Sequence, residues 1–193
     1  DRWPQAFLEL AASVAWVREH AADYGVDPHR IAVCGFSAGG HLAGCLTNLW
    51  ADPVIGETLG LSPEQVRPDA AILSYPVITA SGPFASKMSF DNLFGEGQTP
   101  HAKLSLEESV TPQNPPAFLW ATVTDTSVPV ENTIAYAATL RAYGVPFELH
   151  LFSDGPHAMG LATAECAWRP EQINPHAAHW HELSVEWLQG LRA

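Results

Sequence analysis

A serine flanked by two glycines is the first feature of this sequence that could do covalent chemistry. Residues 35–39 have the sequence Gly-Phe-Ser-Ala-Gly, and they lie where an apolar run ends and a helical pattern begins. A sharp turn from a strand into a helix holds such a serine in a strained backbone with its hydroxyl exposed, and glycines on both sides avoid collisions in that turn. The first N–H groups of the helix would stabilise a developing oxyanion at the same place. We therefore predict that Ser37 is a nucleophile.

A serine hydroxyl is a poor nucleophile at neutral pH, so the prediction requires a general base and an acid that orients it. His157 suits the base, because it lies in a Gly-Pro loop that follows the apolar run 147–152. Asp125 suits the acid, because it comes just after the apolar run 116–123. Since the carboxyl ends of parallel strands are where such sheets bind ligands, we expect these side chains to lie close to Ser37.

Each of these residues also has a simpler interpretation. Ser37 could be a plain helix N-cap, Asp125 a turn-forming residue and His157 an ordinary surface histidine. Asp154, three residues before His157, competes with Asp125 for the role of the acid. His41 lies one turn into the predicted helix, and we expect it to be a packed or hydrogen-bonded support rather than a catalyst.

Apolar runs and helical patterns alternate along the chain, and they define the elements that must position these side chains. Short runs that are apolar on both sides predict parallel strands at residues 31–36, 70–78, 116–123 and 147–152. Apolar residues at spacings of three and four predict helices at residues 4–24, 38–50, 130–143 and 174–191. This alternation predicts the α/β fold class, a parallel sheet covered by helices on both faces.

Length and composition indicate a single domain over residues 1–193. A chain of 193 residues with 47% hydrophobic content has enough apolar side chains for one core. Segment 79–115 is rich in glycine and proline and is too long for an ordinary connection. We expect it to be an insertion over one end of the sheet, on the substrate side.

Charge and cysteine content exclude several classes of partner. Nine Lys and Arg against 21 Asp and Glu give a net charge of -12, and no basic cluster offers a surface for nucleic acid or anionic lipid. No apolar stretch approaches the roughly 20 residues that cross a bilayer. The three cysteines lack metal or disulfide spacing, which favours a reducing compartment and a cytoplasmic location.

Three histidines within six residues invite a metal interpretation, but helical geometry opposes it. At 100° per residue His179 and His181 are about 200° apart around a helix, so His176, His179 and His181 cannot close on one ion. We expect no metal site and no cofactor.

The tryptophans are the remaining residues that could contact a ligand such as a sugar. Three of the seven, Trp16, Trp180 and Trp187, lie on apolar helical stripes and are predicted to be core. Three others, Trp50, Trp120 and Trp168, remain as candidates for positions near the site.

Three segments resemble the carbohydrate-ester and small-acyl esterases of the α/β-hydrolase superfamily, a group similar to acetyl xylan esterases and feruloyl-type esterases. They are YGVDPHRIAVCGFSAGGHLA, TDTSVPVEN and GVPFELHLFSDGPHAMGLA, and the resemblance extends from Pro4 nearly to the last helix. It implies Ser37 as nucleophile, Asp125 as acid, His157 as base and the N–H of Ala38 as one oxyanion donor. The family's acid stands in a D-x-x-V-P context, which fits Asp125 and not Asp154.

One departure from that family concerns the second oxyanion donor. The family carries a His-Gly-Gly segment and several strands upstream of the nucleophile, whereas this chain starts at the helix just before it. We expect the 193 residues to be the carboxyl-terminal part of a longer enzyme, lacking the N-terminal strands of the fold.

The resemblance implies a serine carboxylesterase that hydrolyses small acyl esters through an acyl-enzyme, with acetyl or similar esters on carbohydrate as one option. Two alternatives remain open. One is the catalytic domain of a serine peptidase of the prolyl-oligopeptidase type, and the other is a catalytically silent binding module with the same fold.

Overall fold

Parallel strands form the centre of the molecule. In the computed structural model, which describes residues 2–96 and 102–191, they form one four-stranded sheet in the order β1-β2-β3-β4. The strands are β1 (Ala32–Phe36), β2 (Ala70–Ser74), β3 (Ala117–Thr122) and β4 (Phe147–Phe152). Each lies within a predicted run, but β2 ends at Ser74 rather than at residue 78, because Tyr75 has φ +37° and leaves the extended conformation.

Helices connect and cover the strands. Those of the described residues are α1 (Gln5–Glu19), α2 (Ala21–Tyr24), α3 (Ala38–Leu49), α4 (Pro53–Leu59), α5 (Pro63–Val66), α6 (Lys87–Phe94), α7 (Glu131–Ala142) and α8 (Trp180–Gly190). The predicted helix 4–24 is two helices, since the backbone at His20 leaves the helical conformation. Gly25 then ends α2 with φ +64°, a conformation that glycine adopts without steric cost.

The last predicted helix begins later than its sequence pattern suggests. Asn174 accepts hydrogen bonds from the N–H groups of His176 and Ala177, so it caps a tight turn. A 3₁₀ turn, Ala177–His179, follows, and α8 starts only at Trp180. The prediction of a helix over 174–191 was therefore wrong for its first six positions.

Alternate residues of the strands pack into two separate cores, as a sheet with covered faces requires. On one face Leu73 of β2 and Leu119 of β3 pack with α1, α3 and α7. On the other face Ile72 and Phe118 pack with Trp180 of α8. The two faces together confirm the predicted layers of helices on both sides of a parallel sheet.

Segment 79–115, which we expect to be an insertion on the substrate side, packs closely against the core. It contains α6 and two 3₁₀ turns, Ala102–Leu104 and Leu106–Glu108, while residues 97–101 lie outside the described part. Leu104 and Leu106 are fully buried. The carbonyl of Leu106 also accepts a hydrogen bond from Asn48 of α3.

The parallel sheet brings the ends of β1, β3 and β4 to one edge, and each of these strands is followed there by one of the predicted site residues. No helix in residues 2–96 and 102–191 is both long enough and apolar enough to span a membrane.

Candidate active site

Ser37 occupies the tight turn between β1 and α3. It has φ +55° and ψ −121°, a conformation rare for a residue other than glycine. Its N–H donates to the carbonyl of Ser74 at 3.0 Å, and its carbonyl accepts from the N–H of Val77 at 3.2 Å. The segment at the end of β2 therefore binds both the N–H and the carbonyl of Ser37 and stabilises the strained turn.

Two glycines are needed to make room for this turn, but only one of them belongs to the Gly-x-Ser-x-Gly pattern. A Cβ on Gly35 would lie 2.1 Å from the carbonyl oxygen of Gly39, and a Cβ on Gly40 would lie 2.9 Å from Cβ of Pro76. A Cβ on Gly39 would meet nothing within 4 Å. The expectation that both flanking glycines avoid collisions was therefore wrong for Gly39.

The structure brings Ser37 and His157 into direct contact. Ser37 Oγ lies 2.7 Å from His157 Nε2, although the two residues are 120 positions apart in sequence. His157 Nδ1 lies 2.6 Å from Asp125 Oδ2. Because a carboxylate only accepts, Nδ1 donates in this contact, and in the neutral imidazole Nε2 is then the acceptor for the Ser37 hydroxyl. This is the tautomer that a general base requires.

Asp125 is a buried carboxylate whose second oxygen is also satisfied. Its side chain is 1% exposed. Oδ1 accepts from the backbone N–H groups of Ser127 at 2.8 Å and Val128 at 3.0 Å, so the turn after β3 compensates the cost of burying the charge. These bonds also fix the direction in which Oδ2 meets His157.

Asp154, the competing candidate for the acid, makes different contacts. Its Oδ1 accepts from the hydroxyl of Thr124 at 3.0 Å, and its backbone carbonyl accepts from the side chain of Asn174 at 2.9 Å. The first bond connects the loop after β4 to the turn after β3, and the second connects it to the turn that precedes α8. The structure thus brings Asp125, and not Asp154, to the imidazole of His157.

His41 supports the turn without contacting Ser37 Oγ, as the sequence predicted. Its Nδ1–H donates to the carbonyl of Val77 at 3.1 Å, and the residue is 6% exposed. Burial lowers the pKa of His41 to about 4, against the opposing effect of the bond to Val77. The imidazole is therefore neutral at pH 7.

Tyr75 is a neighbour of His157 that sequence analysis did not single out. The centroids of the Tyr75 and His157 rings are 5.0 Å apart, and the two planes meet at 69°. A tyrosine at the end of an apolar run looks like any other core residue, so no sequence signal marked it.

An apolar cavity of about 260 Å³ lies beside the first turn of α3. Ala38, the predicted oxyanion donor, lines it together with Phe7, Leu42 and Phe90. Ala38 is the first residue of α3, so its N–H has no acceptor within the helix. The cavity lies between α1, α3 and α6, and Ser37 and His157 are not among the residues that line it.

The tryptophans occupy three kinds of environment. Trp120 is fully buried and Trp180 nearly so, whereas the predicted core position of Trp16 was wrong because this residue is 49% exposed. Trp168 is 85% exposed. The backbone N–H of Trp168 donates to the side-chain oxygen of Gln172. The side-chain nitrogen of Gln172 in turn donates to the carbonyl of Ala158, the residue after His157.

The residues that the structure describes contain no group of three or more His, Cys, Asp or Glu side chains placed to hold a metal ion. His176 and His179 lie with ring centroids 6.3 Å apart, and Nδ1 of His179 is engaged with the carbonyl of His176.

Comparison with known proteins relates the chain to a family defined by its fold, and the chain spans about a quarter of the length of the curated relatives described next. A family profile described as the alpha/beta hydrolase fold matches residues 1–161. The chain is 35% identical over 163 residues to endo-1,4-beta-xylanase B of Butyrivibrio fibrisolvens, a match that covers 83% of this chain and 25% of that protein. It is 31% identical over 153 residues to an acetylxylan esterase of Xylanibacter ruminicola, covering 76% of this chain and 29% of that protein.

Solved structures show the same relationship over nearly the whole chain. An acetyl ester-xyloside bifunctional hydrolase from Caldicellulosiruptor lactoaceticus superposes with a TM-score of 0.83 at 36% identity, covering 98% of this chain and 66% of that one. A carboxylesterase from Lactobacillus plantarum superposes with a TM-score of 0.84 at 32% identity, covering 97% and 68%. The family match, the parallel sheet and these superpositions show that the chain belongs to the alpha/beta-hydrolase fold family.

Proposed function

We propose that this protein is a serine hydrolase of small carboxylic esters that acts through an acyl-enzyme. The observation that supports this most strongly is the unbroken series of contacts from Ser37 Oγ through the His157 imidazole to Asp125, at 2.7 and 2.6 Å. A nucleophile, a base within hydrogen-bond reach and a third group that orients the base are the parts that such chemistry needs.

In the proposed first half-reaction, Ser37 Oγ forms a bond to the acyl carbon while His157 Nε2 takes the hydroxyl proton. The N–H of Ala38 stabilises the negative charge that develops on the acyl oxygen. The bond to the alcohol oxygen then breaks, and His157 gives its proton to the leaving alcohol. Asp125 stabilises the imidazolium between these two transfers.

In the second half-reaction a water molecule attacks the acyl-enzyme, and His157 again takes and returns the proton. The products are the free acid and the regenerated Ser37 hydroxyl.

The substrates that we propose are esters of small acids, including acetyl groups on carbohydrate. The apolar cavity of about 260 Å³ that Ala38 lines has room for a short acyl chain, although Ser37 and His157 do not line it. The similarity to an acetylxylan esterase and to an acetyl ester-xyloside hydrolase supports a sugar as the alcohol. Trp168 adds an exposed indole surface on a loop that is hydrogen-bonded to the residue after His157.

The first experiment uses the longer enzyme expected from the sequence and compares the parent with its Ser37→Ala variant on an aryl acetate and on an acetylated xylo-oligosaccharide. We expect the parent to release a burst of one equivalent of phenol per site, and the variant to lose hydrolysis by a factor of about 10³ or more because the nucleophile is gone. The matched control is Ser184→Ala, which removes a buried serine of α8 whose hydroxyl donates to the carbonyl of His181.

The outcomes separate the proposed function from its alternatives. Failure of a serine-directed phosphonate to label Ser37 would contradict hydrolysis and favour a silent binding module. Hydrolysis of a proline-containing peptide in preference to both esters would favour the peptidase. Hydrolysis of the aryl acetate but not of the acetylated xylo-oligosaccharide would support the esterase chemistry and contradict the proposal that the substrate is a carbohydrate ester.

A further inference from the structure

Tyr75 has a backbone conformation that its place in the strand does not explain. It follows β2 directly and has φ +37°, which is uncommon for a bulky residue. Its N–H donates to the carbonyl of Trp120 at 2.6 Å. Strained residues persist only where their surroundings hold them in place, and they concentrate at functional sites.

The positive φ decides which face of the sheet receives the Tyr75 side chain. Side chains of a strand alternate between faces, so Ile72 belongs to one core and Leu73 to the other. Continued alternation would put Tyr75 on the side of Leu73. The turn at Tyr75 instead places its ring in the core that contains Ile72, Trp120 and Trp180.

On that face Tyr75 contacts both the imidazole of His157 and the loop that carries it. The Tyr75 hydroxyl accepts a hydrogen bond from the N–H of Gly160 at 3.0 Å, three residues beyond His157. The ring meets the imidazole with centroids 5.0 Å apart. Burial raises the pKa of Tyr75 to about 12, so the hydroxyl stays neutral beside His157 at physiological pH.

The same segment also holds the nucleophile. Ser74 and Val77, on either side of Tyr75, make the two backbone hydrogen bonds to Ser37 at 3.0 and 3.2 Å. Residues 74–77 therefore connect the turn that carries Ser37 to the loop that carries His157. A change in this segment would alter the position of the base relative to the nucleophile.

We propose that Tyr75 is a positioning residue that sets the orientation of the His157 imidazole between Ser37 and Asp125. This inference rests on the proposed esterase chemistry for its effect on rate. Tyr75 acts through His157, and its hydroxyl and its ring have separate parts: the hydroxyl fixes the loop at Gly160, and the ring limits rotation of the imidazole.

The test is Tyr75→Phe, which keeps the ring and its packing and removes only the acceptor for Gly160. For an aryl acetate we expect kcat to fall about 10- to 100-fold with KM little changed, because the base moves out of line while substrate binding does not change. In the proton NMR spectrum, the downfield resonance of the hydrogen-bonded His157 Nδ1 proton should shift or broaden.

Tyr136→Phe is the matched control. Tyr136 is, like Tyr75, a buried tyrosine, and its hydroxyl donates to Asn48 at 2.6 Å, in the core on the other face of the sheet. We expect Tyr136→Phe to lose about as much thermal stability as Tyr75→Phe does. It should keep the parent kcat and the parent resonance of the His157 Nδ1 proton.

Two results would overturn the inference. One is a Tyr75→Phe variant with the parent kcat and an unchanged Nδ1 resonance. The other is an equal loss of kcat in Tyr136→Phe at the same loss of thermal stability, which would assign both effects to stability alone. If the parent shows no Ser37-dependent turnover, the proposed function fails, and the Nδ1 resonance still decides the role of Tyr75.

Discussion

Single residues of the site depend on backbone geometry as much as on their own chemistry. The hydroxyl of Ser37 can contact His157 because the chain turns sharply at Ser37, where φ is +55°. That turn leaves no room for a Cβ at Gly35. The glycine after Ser37 is different, since Gly39 has open space around its Cα. The two glycines of one motif therefore have different structural roles.

This difference predicts opposite effects of alanine at the two positions. Gly35→Ala should lower the free energy of unfolding by at least about 3 kcal/mol, because its Cβ would overlap the carbonyl of Gly39 and neither backbone can move cheaply. Gly39→Ala should raise it by about 0.5 to 1 kcal/mol, since alanine favours a helix over glycine. Urea unfolding followed by circular dichroism measures both, and equal effects of the two variants would contradict the role assigned to Gly35.

At the scale of the elements, β1 differs from the other strands. Within the described residues it pairs only with β2, and its residues alternate between exposed and buried along the strand. An apolar groove of about 580 Å³ runs between β1 and α1, lined by residues such as Leu10, Val17 and Ile31. Residues 32–36 contain no charge and no proline to protect this edge. We propose that a further strand pairs with the free edge of β1 in the longer enzyme expected from the sequence.

The 193-residue chain should therefore bind a hydrophobic dye and associate in solution, and a charge on β1 should reduce both. Cys34→Lys places a lysine on an exposed position of this strand, which opposes edge-to-edge pairing. Tyr24→Lys, at a side chain that is 57% exposed on α2, is the control and should leave both unchanged. Dye fluorescence and light scattering measure the effect. A parent chain that is monodisperse and does not bind dye would contradict an unprotected edge.

At the scale of the whole molecule, the core beside α3 contains an ionisable group that folding keeps neutral. His41 is buried against the ring of Phe90, and its pKa falls from 6.5 to about 4. Between these two values the unfolded chain binds a proton that the folded chain does not. Acidification in that window therefore favours unfolding.

We predict that the parent chain loses about 2 to 3 kcal/mol of stability from this group between pH 7.5 and pH 4.5. His41→Gln lacks the imidazole, so its free energy of unfolding should fall less over the same interval, whatever its value at pH 7.5. Thr47→Val is the control, because Thr47 is a buried residue of the same helix that does not titrate, and it should keep the parent pH dependence. Urea unfolding at the two pH values measures the difference, and identical slopes for the parent and His41→Gln would contradict the burial of a neutral His41.

The periodicity of apolar residues and the order of the segments along the chain determined most of the architecture. They also determined which residues are candidates for the active site. Apolar runs located all four strands of the described sheet, because strands buried on both faces need continuous apolar sequence. Residues at the ends of those strands had to share one edge of a parallel sheet, which selected Ser37, Asp125 and His157 before any distance was known.

Only the tertiary structure decided which contacts these residues make. The D-x-x-V-P context had favoured Asp125 over Asp154, but the contacts that separate them, to backbone N–H groups of a turn for Asp125 and to the Thr124 hydroxyl for Asp154, have no periodic signal. The exposure of Trp16 and the role of Gly40 depend on what other segments bring near them. The same holds for Tyr75, because a positive φ moves its ring from one face of the sheet to the other, and local sequence patterns assume regular alternation.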